Sequence, residues 1–438
     1  MKKARNRGPK PRPKTREMTG VKPQSADPAE EDSQAPRPGE NPFSVTLSLK
    51  RQLGFTLSIL LAFVGGAYFG GKQWFSGRDA VVKPASPPPF RARYTSTAAE
   101  PEDFFPVAEF RRQAGLVFGG YNFLNTNPQL YVDIARAIDG RLPVFTLVDS
   151  ENQAALGRAL MRKHNVPDDA MRFVILPADS PWVRDYAPFM IRRHDNSVGM
   201  IDAKYQIEAN VEPRRKDEEM AVSLSEVLGL PIRSIPLVLE GGNFLSNGDG
   251  VAVSTNHLFL KNQEYEFSEI QIASMLHDFL GVRRCYLMPV LEGEATGHVD
   301  MMMCFVAKNI AVVGEIPMDL DPENSRRLDN TTDQLKQITT TMGPMQVFRI
   351  PMPPPSGQSW RSYTNAIFAN GMILMPSFSD VDPALEDKAE AVYKSVLPGW
   401  KVKRIVCDQL VREQGQLHCI SYNIPNYVNL DTVISLSK

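Results

Sequence analysis

The hydrophobic pattern of the chain changes twice before it settles. Residues 1–45 are rich in Pro, Lys, Arg, Ser and Glu, with few large apolar groups. Such a stretch buries too little surface to offset the entropy of ordering and reads as disordered. Leu53 to Gly71 then contains no charged residue. A helix of about 19 residues is just long enough for a hydrocarbon core of ~30 Å. Lys50 and Arg51, with the basic tail behind them, favour an N-terminus in the cytoplasm. The apolar run exceeds a usual signal-peptide core and no A-x-A site precedes Lys72, so an uncleaved signal anchor is expected. Pro84, Pro87, Pro88 and Pro89 mark a stiff spacer after it. The expected organisation is a basic cytoplasmic tail (1–51), a transmembrane anchor (52–72), a Pro-rich stalk (73–103) and an extracytoplasmic domain (104–438).

From about residue 104 the pattern alternates. Short β-type apolar runs include 115–118, 143–148, 173–176, 189–191, 251–254, 284–288, 301–306, 310–313, 346–350, 372–375 and 403–407. Between them, 3.6-residue periodicity predicts helices over 129–138, 153–163, 217–228, 264–280, 325–340 and 384–396. Strands alternating with helices indicate an α/β domain. No composition shift breaks it, so one large domain is expected.

Composition narrows the function. The chain of 438 residues is 42% hydrophobic and 23% charged, as ordinary globular proteins are. Its formal charge of -1 is uneven: residues 1–51 carry 12 Lys/Arg against 6 Asp/Glu, so the remainder stands at -7. A mildly acidic domain argues against nucleic acid and suits a cationic ligand. Gly-x-Gly-x-x-Gly, the P-loop and Gly-x-Ser-x-Gly are all absent, which removes the usual nucleotide cradles and the serine-hydrolase elbow. The Cys residues at 285, 304, 407 and 419 show no Cys-x-x-Cys pair, and the His residues lack metal-ligand spacing.

Four short stretches can carry chemistry. Cys419, in Gly415–Ser421, reads as a thiol at a strand end, either nucleophile or buried free cysteine. Asp185 and Trp182, in Asp179–Pro188, can hold and cover a flat cation; a surface Arg184–Asp185 pair beside a packed Trp is the alternative. Glu240 opens Glu240-Gly241-Gly242-Asn243, as a buried carboxylate or a solvated turn residue. His298 and Asp300, two apart, would share one face of an extended chain, as a proton carrier beside a carboxylate or as a plain surface pair. By the same rule His418 points away from Cys419 and is a poor base; His298 is the better candidate.

In their order along the chain, Trp-x-Arg-Asp, Glu-Gly-Gly-Asn, Gly-His-Val-Asp and His-Cys resemble the agmatine deiminase / bacterial peptidylarginine deiminase family of the guanidino-modifying, pentein superfamily. Tyr363-Thr364-Asn365 and Asn370-Gly371 extend the resemblance, which spans roughly 105–430. It implies an α/β propeller of five ββαβ units around a central site. It implies Cys419 as nucleophile, His298 as general acid/base, Asp185 and Asp300 as clamps on the guanidinium, and Glu240 as support for His298. Trp182 and Asn243 would contact the substrate. It implies neither metal nor organic cofactor, and as substrate a small guanidino compound or an arginine side chain of a peptide. Chemically this is coherent, because a guanidinium's forked donors fit carboxylates in bidentate pairs. An amidinotransferase or methylarginine hydrolase shares the Cys–His core, and an inactive guanidinium- or peptide-binding module is the non-enzymatic alternative.

Overall fold

A computed structural model describes residues 104–193, 197–205, 214–357 and 359–437. The expected tail, anchor and stalk lie outside the described residues. Among the described residues, no helix is long and apolar enough to cross a membrane.

The domain enters on β1 (Phe104–Pro106). The first sheet follows with β2 (Gln113–Gly119), β3 (Val144–Val148) and β4 (Arg172–Ile175), all parallel. The second holds β5 (Phe189–Arg193), β6 (Val198–Lys204) and β7 (Ile232–Val238), with β1 added at its edge. The third holds β8 (Leu245–Ser246), β9 (Val251–Thr255) and β10 (Arg284–Met288). The fourth begins with β11 (Met303–Ala307) and β12 (Ile310–Glu315). A small hairpin, β13 (Thr339–Thr340) with β14 (Gly343–Pro344), precedes its last strand, β15 (Gln346–Pro351). The fifth holds β16 (Ile367–Phe368), β17 (Met372–Ser377) and β18 (Lys401–Val406). Finally β19 (Ser421–Pro425) returns to pair with β2 in the first sheet.

One pattern recurs. An antiparallel pair is followed by a parallel pair in β19/β2/β3, β5/β6/β7, β8/β9/β10, β11/β12/β15 and β16/β17/β18. Parallel neighbours need a crossover, and each parallel pair has helical chain between its strands. The crossovers are Pro128–Ile138, Glu151–Lys163, Arg215–Leu228, His257–Gln263 with Glu269–Leu280, Pro322–Lys336, and Pro383–Val396. The apolar stripe of Pro128–Ile138 shows how such a helix seats: Leu130, Tyr131, Ile134, Ala135 and Ile138 are buried, and the Tyr131 hydroxyl donates to the Gly119 carbonyl at the end of β2.

Several sequence expectations change. The helix expected over 264–280 is two helices, His257–Gln263 and Glu269–Leu280. Between them Glu266 takes a φ of 60°, and Ser268 starts the second helix with a capping box to Gln271. The helix expected over 325–340 runs over Pro322–Lys336, because Asp321 caps it and the chain then turns into β13. Cys407 falls just past β18 rather than in it. The strands β1, β6, β7, β8, β13, β14 and β16 are not among the expected runs. Four of them are only two residues long, too short for periodicity to register. Within β7, Pro236 argues against a strand, yet β7 lies at a sheet edge, where Pro is tolerated.

Candidate active site

The site collects at the entrances to the antiparallel strands. Asp185 precedes β5, Glu240–Asn243 precede β8, His298–Asp300 precede β11, Thr364-Asn365 precede β16, and His418-Cys419 precede β19. Five distant stretches of chain thereby deliver polar side chains to one place.

The Asp179–Ala187 stretch is shaped from within. Buried Asp217 accepts from the Asp179 N–H at 2.7 Å, the Ser180 N–H at 3.1 Å and the Ser180 hydroxyl at 2.7 Å. The chain then forms the short helix Val183–Tyr186. Arg184 is buried and does not pair with Asp185 on the surface. Its guanidinium binds the Glu109 carboxylate and, at 3.0 Å, Asn423 Oδ1. Asp185 is thereby left to the site, where its Oδ1 accepts from the Gly242 N–H at 3.0 Å. Burial, with Glu240 and Asp300 nearby, outweighs the His298 charge and pushes the Asp185 carboxyl up to about 6.

Glu240 is buried, as the first of its two readings requires. It accepts from Lys261 Nζ at 2.6 and 2.7 Å and faces His298 Nε2 at 3.0 Å. Burial opposes its charge, but these two cations outweigh it and hold the carboxyl at about 2. Both glycines after it are needed for close approach. A Cβ on Gly241 would lie 2.0 Å from the Arg184 carbonyl oxygen. One on Gly242 would lie 2.5 Å from His298 Nδ1, 2.8 Å from Asp185 Oδ1 and 3.2 Å from Asp300 Oδ2.

His298 and Asp300 share the site, though not through an extended chain. Val299–Met301 is a single 3₁₀ turn with His298 at its cap. The turn is held by Glu294, whose carboxylate accepts from the Gly297 and His298 N–H groups at 2.6 and 3.3 Å. Nδ1 of His298 lies 3.6 Å from Asp185 Oδ1. Burial disfavours the imidazolium, but Asp185, Glu240 and Asp300 outweigh it and push its pKa up to about 10. Asp300 is 1% exposed. Its Oδ2 faces His418 Nδ1 at 2.8 Å, whereas its buried Oδ1 has no hydrogen-bond partner among the described residues.

Cys419 sits in a turn just before β19, not within a strand. It is 6% exposed, with Sγ 3.6 Å from Asn365 Nδ2 and 3.7 Å from Asn365 Oδ1. Burial and the Asp300 and Asp185 charges push its thiol well above the usual range. Both ring nitrogens of His418 face carboxylates, Asp300 on one side and Glu109 at 2.7 Å on the other. Sequence reasoning missed Glu109 and Lys261. Each is a lone charge in an ordinary stretch, recognisable only once its distant partner is known.

The two residues expected to touch substrate are placed as follows. Trp182 packs against Gly415, where a Cβ would lie 2.2 Å from its ring, and against two core clusters. Asn243 is buried, and its side-chain oxygen accepts from the Thr255 N–H at 3.0 Å. Among the described residues, no cluster of His, Cys, Asp and Glu has the arrangement of a metal site.

A thiol, an imidazole and three carboxylates thus meet on a five-sheet α/β frame. Residues 120–425 match the family described as Porphyromonas-type peptidyl-arginine deiminase; the chain belongs to that family and is a guanidine deiminase, a hydrolase of C–N bonds. A Yersinia pseudotuberculosis protein, provisionally named an agmatine deiminase, is 24% identical over 332 residues, 68% of this chain and 87% of that one. The solved agmatine deiminase of Enterococcus faecalis shares the fold, with a TM-score of 0.66 at 19% identity over 76% of this chain and 99% of that one. The C. jejuni agmatine deiminase does so with a TM-score of 0.62 at 18% identity, over 74% and 96%.

Proposed function

We propose that this chain deiminates a guanidino group of the agmatine or peptidylarginine type, releasing ammonia and a ureido product through a thiouronium formed on Cys419. The observation that carries the reading is the unpartnered Oδ1 of Asp300, buried in the same cluster as Asp185 and Cys419. An unpaired buried carboxylate oxygen is costly unless a donor meets it, and a guanidinium supplies planar, charged, forked donors.

The steps follow from the side chains. Asp185 and Asp300 take the guanidinium nitrogens, which fixes the carbon before the thiol and compensates both carboxylates. The charges that hold the Cys419 thiol up are then neutralised, so its proton passes to solvent, where the released ammonia later takes it up, and Sγ attacks the carbon. His298 protonates the departing nitrogen from Nδ1, because Nε2 is held by Glu240. Ammonia leaves and a positively charged thiouronium remains. The now neutral imidazole takes a proton from water as the oxygen adds to the carbon. The C–S bond breaks, and thiol and ureido product are released. Positioning of this kind is a large share of such a rate enhancement.

The five sheets with one strand pattern support an arrangement as five ββαβ blades around this centre. Membrane anchoring rests on the Leu53–Gly71 run and its basic flank. A periplasm-dependent reporter fused after Lys438 should be active; activity of a cytoplasm-dependent reporter instead would overturn that reading.

The test of the chemistry is to incubate the chain with agmatine, free arginine and arginine-containing peptides, and measure ammonia and ureido product against Cys419→Ser. Equal background in both proteins on every substrate would sink the deiminase reading. Product with one substrate class would identify it. Amidine transfer to an added amine without ammonia would move the chain to the amidinotransferases.

A further inference from the structure

A chain of alternating charge, buried except at half-buried Glu109, runs to the carboxylate of Asp300. Arg184 binds the Glu109 carboxylate, Glu109 Oε2 faces His418 Nε2 at 2.7 Å, and His418 Nδ1 faces Asp300 Oδ2 at 2.8 Å. Arg184 also caps the backbone beside the nucleophile: its Nε donates to the His418 carbonyl at 3.4 Å and its N–H to the Cys419 carbonyl at 3.1 Å. Only an imidazolium donates from both ring nitrogens at once. Two carboxylates at hydrogen-bond distance on opposite sides therefore select the doubly protonated ring.

We propose that Glu109 is a positioning residue for the reaction, which through His418 holds Asp300 by Oδ2 and turns Oδ1 toward the guanidinium. This rests on the deimination reading in taking Asp300 as a guanidinium partner. Glu109 lies between β1 and β2. A cavity lies on its side of the chain, lined by Glu109, Arg184, His418 and Asp300 but not by Cys419, His298, Asp185 or Glu240. Glu109 therefore acts from behind the site, through another residue.

The charge balance supports the assignment. Arg184 and an imidazolium at His418 offset Glu109 and the Oδ2 side of Asp300, so the incoming cation meets Asp300 at Oδ1 rather than competing for Oδ2. Burial and Arg184 disfavour charge on His418, yet Glu109 and Asp300 win and its pKa is raised. Those three groups are the charges facing the ring from the other elements packed on it. Without the Glu109 charge, His418 keeps one carboxylate against Arg184 and loses its second proton at lower pH. A neutral ring donates on one side only and no longer fixes Asp300 in one orientation.

The experiment is histidine-labelled ¹⁵N NMR of the wild-type chain and Glu109→Gln, with His418 identified through His418→Asn, alongside a pH series of kcat and KM. The wild-type His418 ring is expected to be doubly protonated at pH 7, a reading that needs no Glu109 variant to fold. In Glu109→Gln its titration midpoint should fall by about 1–3 pH units. The deficit in kcat/KM should be carried by KM, opening to about tenfold as His418 loses its proton and closing at lower pH. A merely structural residue would lower activity equally at every pH. A wild-type His418 that is a single neutral tautomer at pH 7, or a Glu109→Gln deficit independent of pH, would overturn the proposal. A chain with doubly protonated His418 that turns over no guanidino compound would instead defeat the deimination reading and leave the charge chain standing.

Discussion

His298 turns its two ring nitrogens to different carboxylates: Nε2 lies 3.0 Å from Glu240, which Lys261 also holds, and Nδ1 lies 3.6 Å from Asp185. The first contact orients the ring, and the second turns Nδ1 toward Asp185. The His298 pKa is raised from 6.5 to about 10, so its contribution to stability is complete below pH 6.5 and is lost as pH rises through about 10. That of Glu240 is lowered from 4.5 to about 2, so its contribution is complete above pH 4.5 and is lost as pH falls through about 2.

Glu240→Gln should therefore expose the coupling. Removing the charge lets His298 deprotonate earlier, and the alkaline limb of the kcat–pH profile should move down by about 1–3 units. The rate itself should fall by roughly 10²–10⁴ as proton delivery weakens. A limb unmoved by the substitution would mean that Glu240 does not govern the His298 proton.

Where it is ionised, Asp185 opposes folding. Its pKa rises from 3.8 to about 6 on burial, so its ionisation in the folded state opposes folding, most fully above pH 6. At about 1.4 kcal/mol per pH unit, the ionised group costs roughly 3 kcal/mol at pH 8. Asp185→Asn should recover about 1–3 kcal/mol of unfolding free energy at pH 8 and nothing below about pH 4. It should also abolish turnover. For the wild-type chain, kcat/KM should climb as pH passes about 6 and Asp185 loses its proton. Denaturant melts at the two pH values, with the activity profile, check both; a destabilised Asp185→Asn at pH 8 would contradict the burial argument.

How much of this was legible in the sequence depended on where each partner stood. Cys419, His298, Asp300, Glu240 and Asp185 lie in short motifs that read two ways each until the family resemblance joined them, and the structure gathers all five at strand entrances. The helix Pro128–Ile138 announced itself by its buried stripe. In contrast, β8 and β16 span two residues each and leave no periodic trace. The Glu109–His418 contact joins positions 309 residues apart, and local pattern carries no such information. Arg184 seemed a natural surface partner for its neighbour Asp185, but the short helix points it into the core toward Glu109.

In the resting site the thiol of Cys419 should be protonated, because burial and the nearby Asp300 and Asp185 charges disfavour the thiolate. Alkylation by a small neutral reagent at pH 7 should be slower at Cys419 than at free cysteine, since the thiolate is the reactive form. Mass-spectrometric rates on the wild-type chain, with Cys419→Ser as the blank, measure this. Reaction faster than free cysteine at pH 7 would show a thiolate already present and remove the need for the substrate cation to generate it.

Gly242 gives the sharpest steric test. It has no positive φ to excuse it, so its requirement comes from space. A methyl group there would meet His298 Nδ1 at 2.5 Å and Asp185 Oδ1 at 2.8 Å, with Asp300 Oδ2 at 3.2 Å. His298 Nδ1 and Asp185 Oδ1 are the atoms that should face the guanidinium and its departing nitrogen. Gly242→Ala should displace the imidazole or the carboxylate, or occupy the substrate's place, and reduce kcat/KM by roughly 100-fold. The Gly241→Ala variant is the contrast, since its Cβ would strike the Arg184 carbonyl at 2.0 Å and strain the backbone itself. Gly242→Ala is expected to melt near the wild type while losing activity, and Gly241→Ala to lose both. Full activity in Gly242→Ala would show that the reaction does not use the space between His298, Asp185 and Asp300.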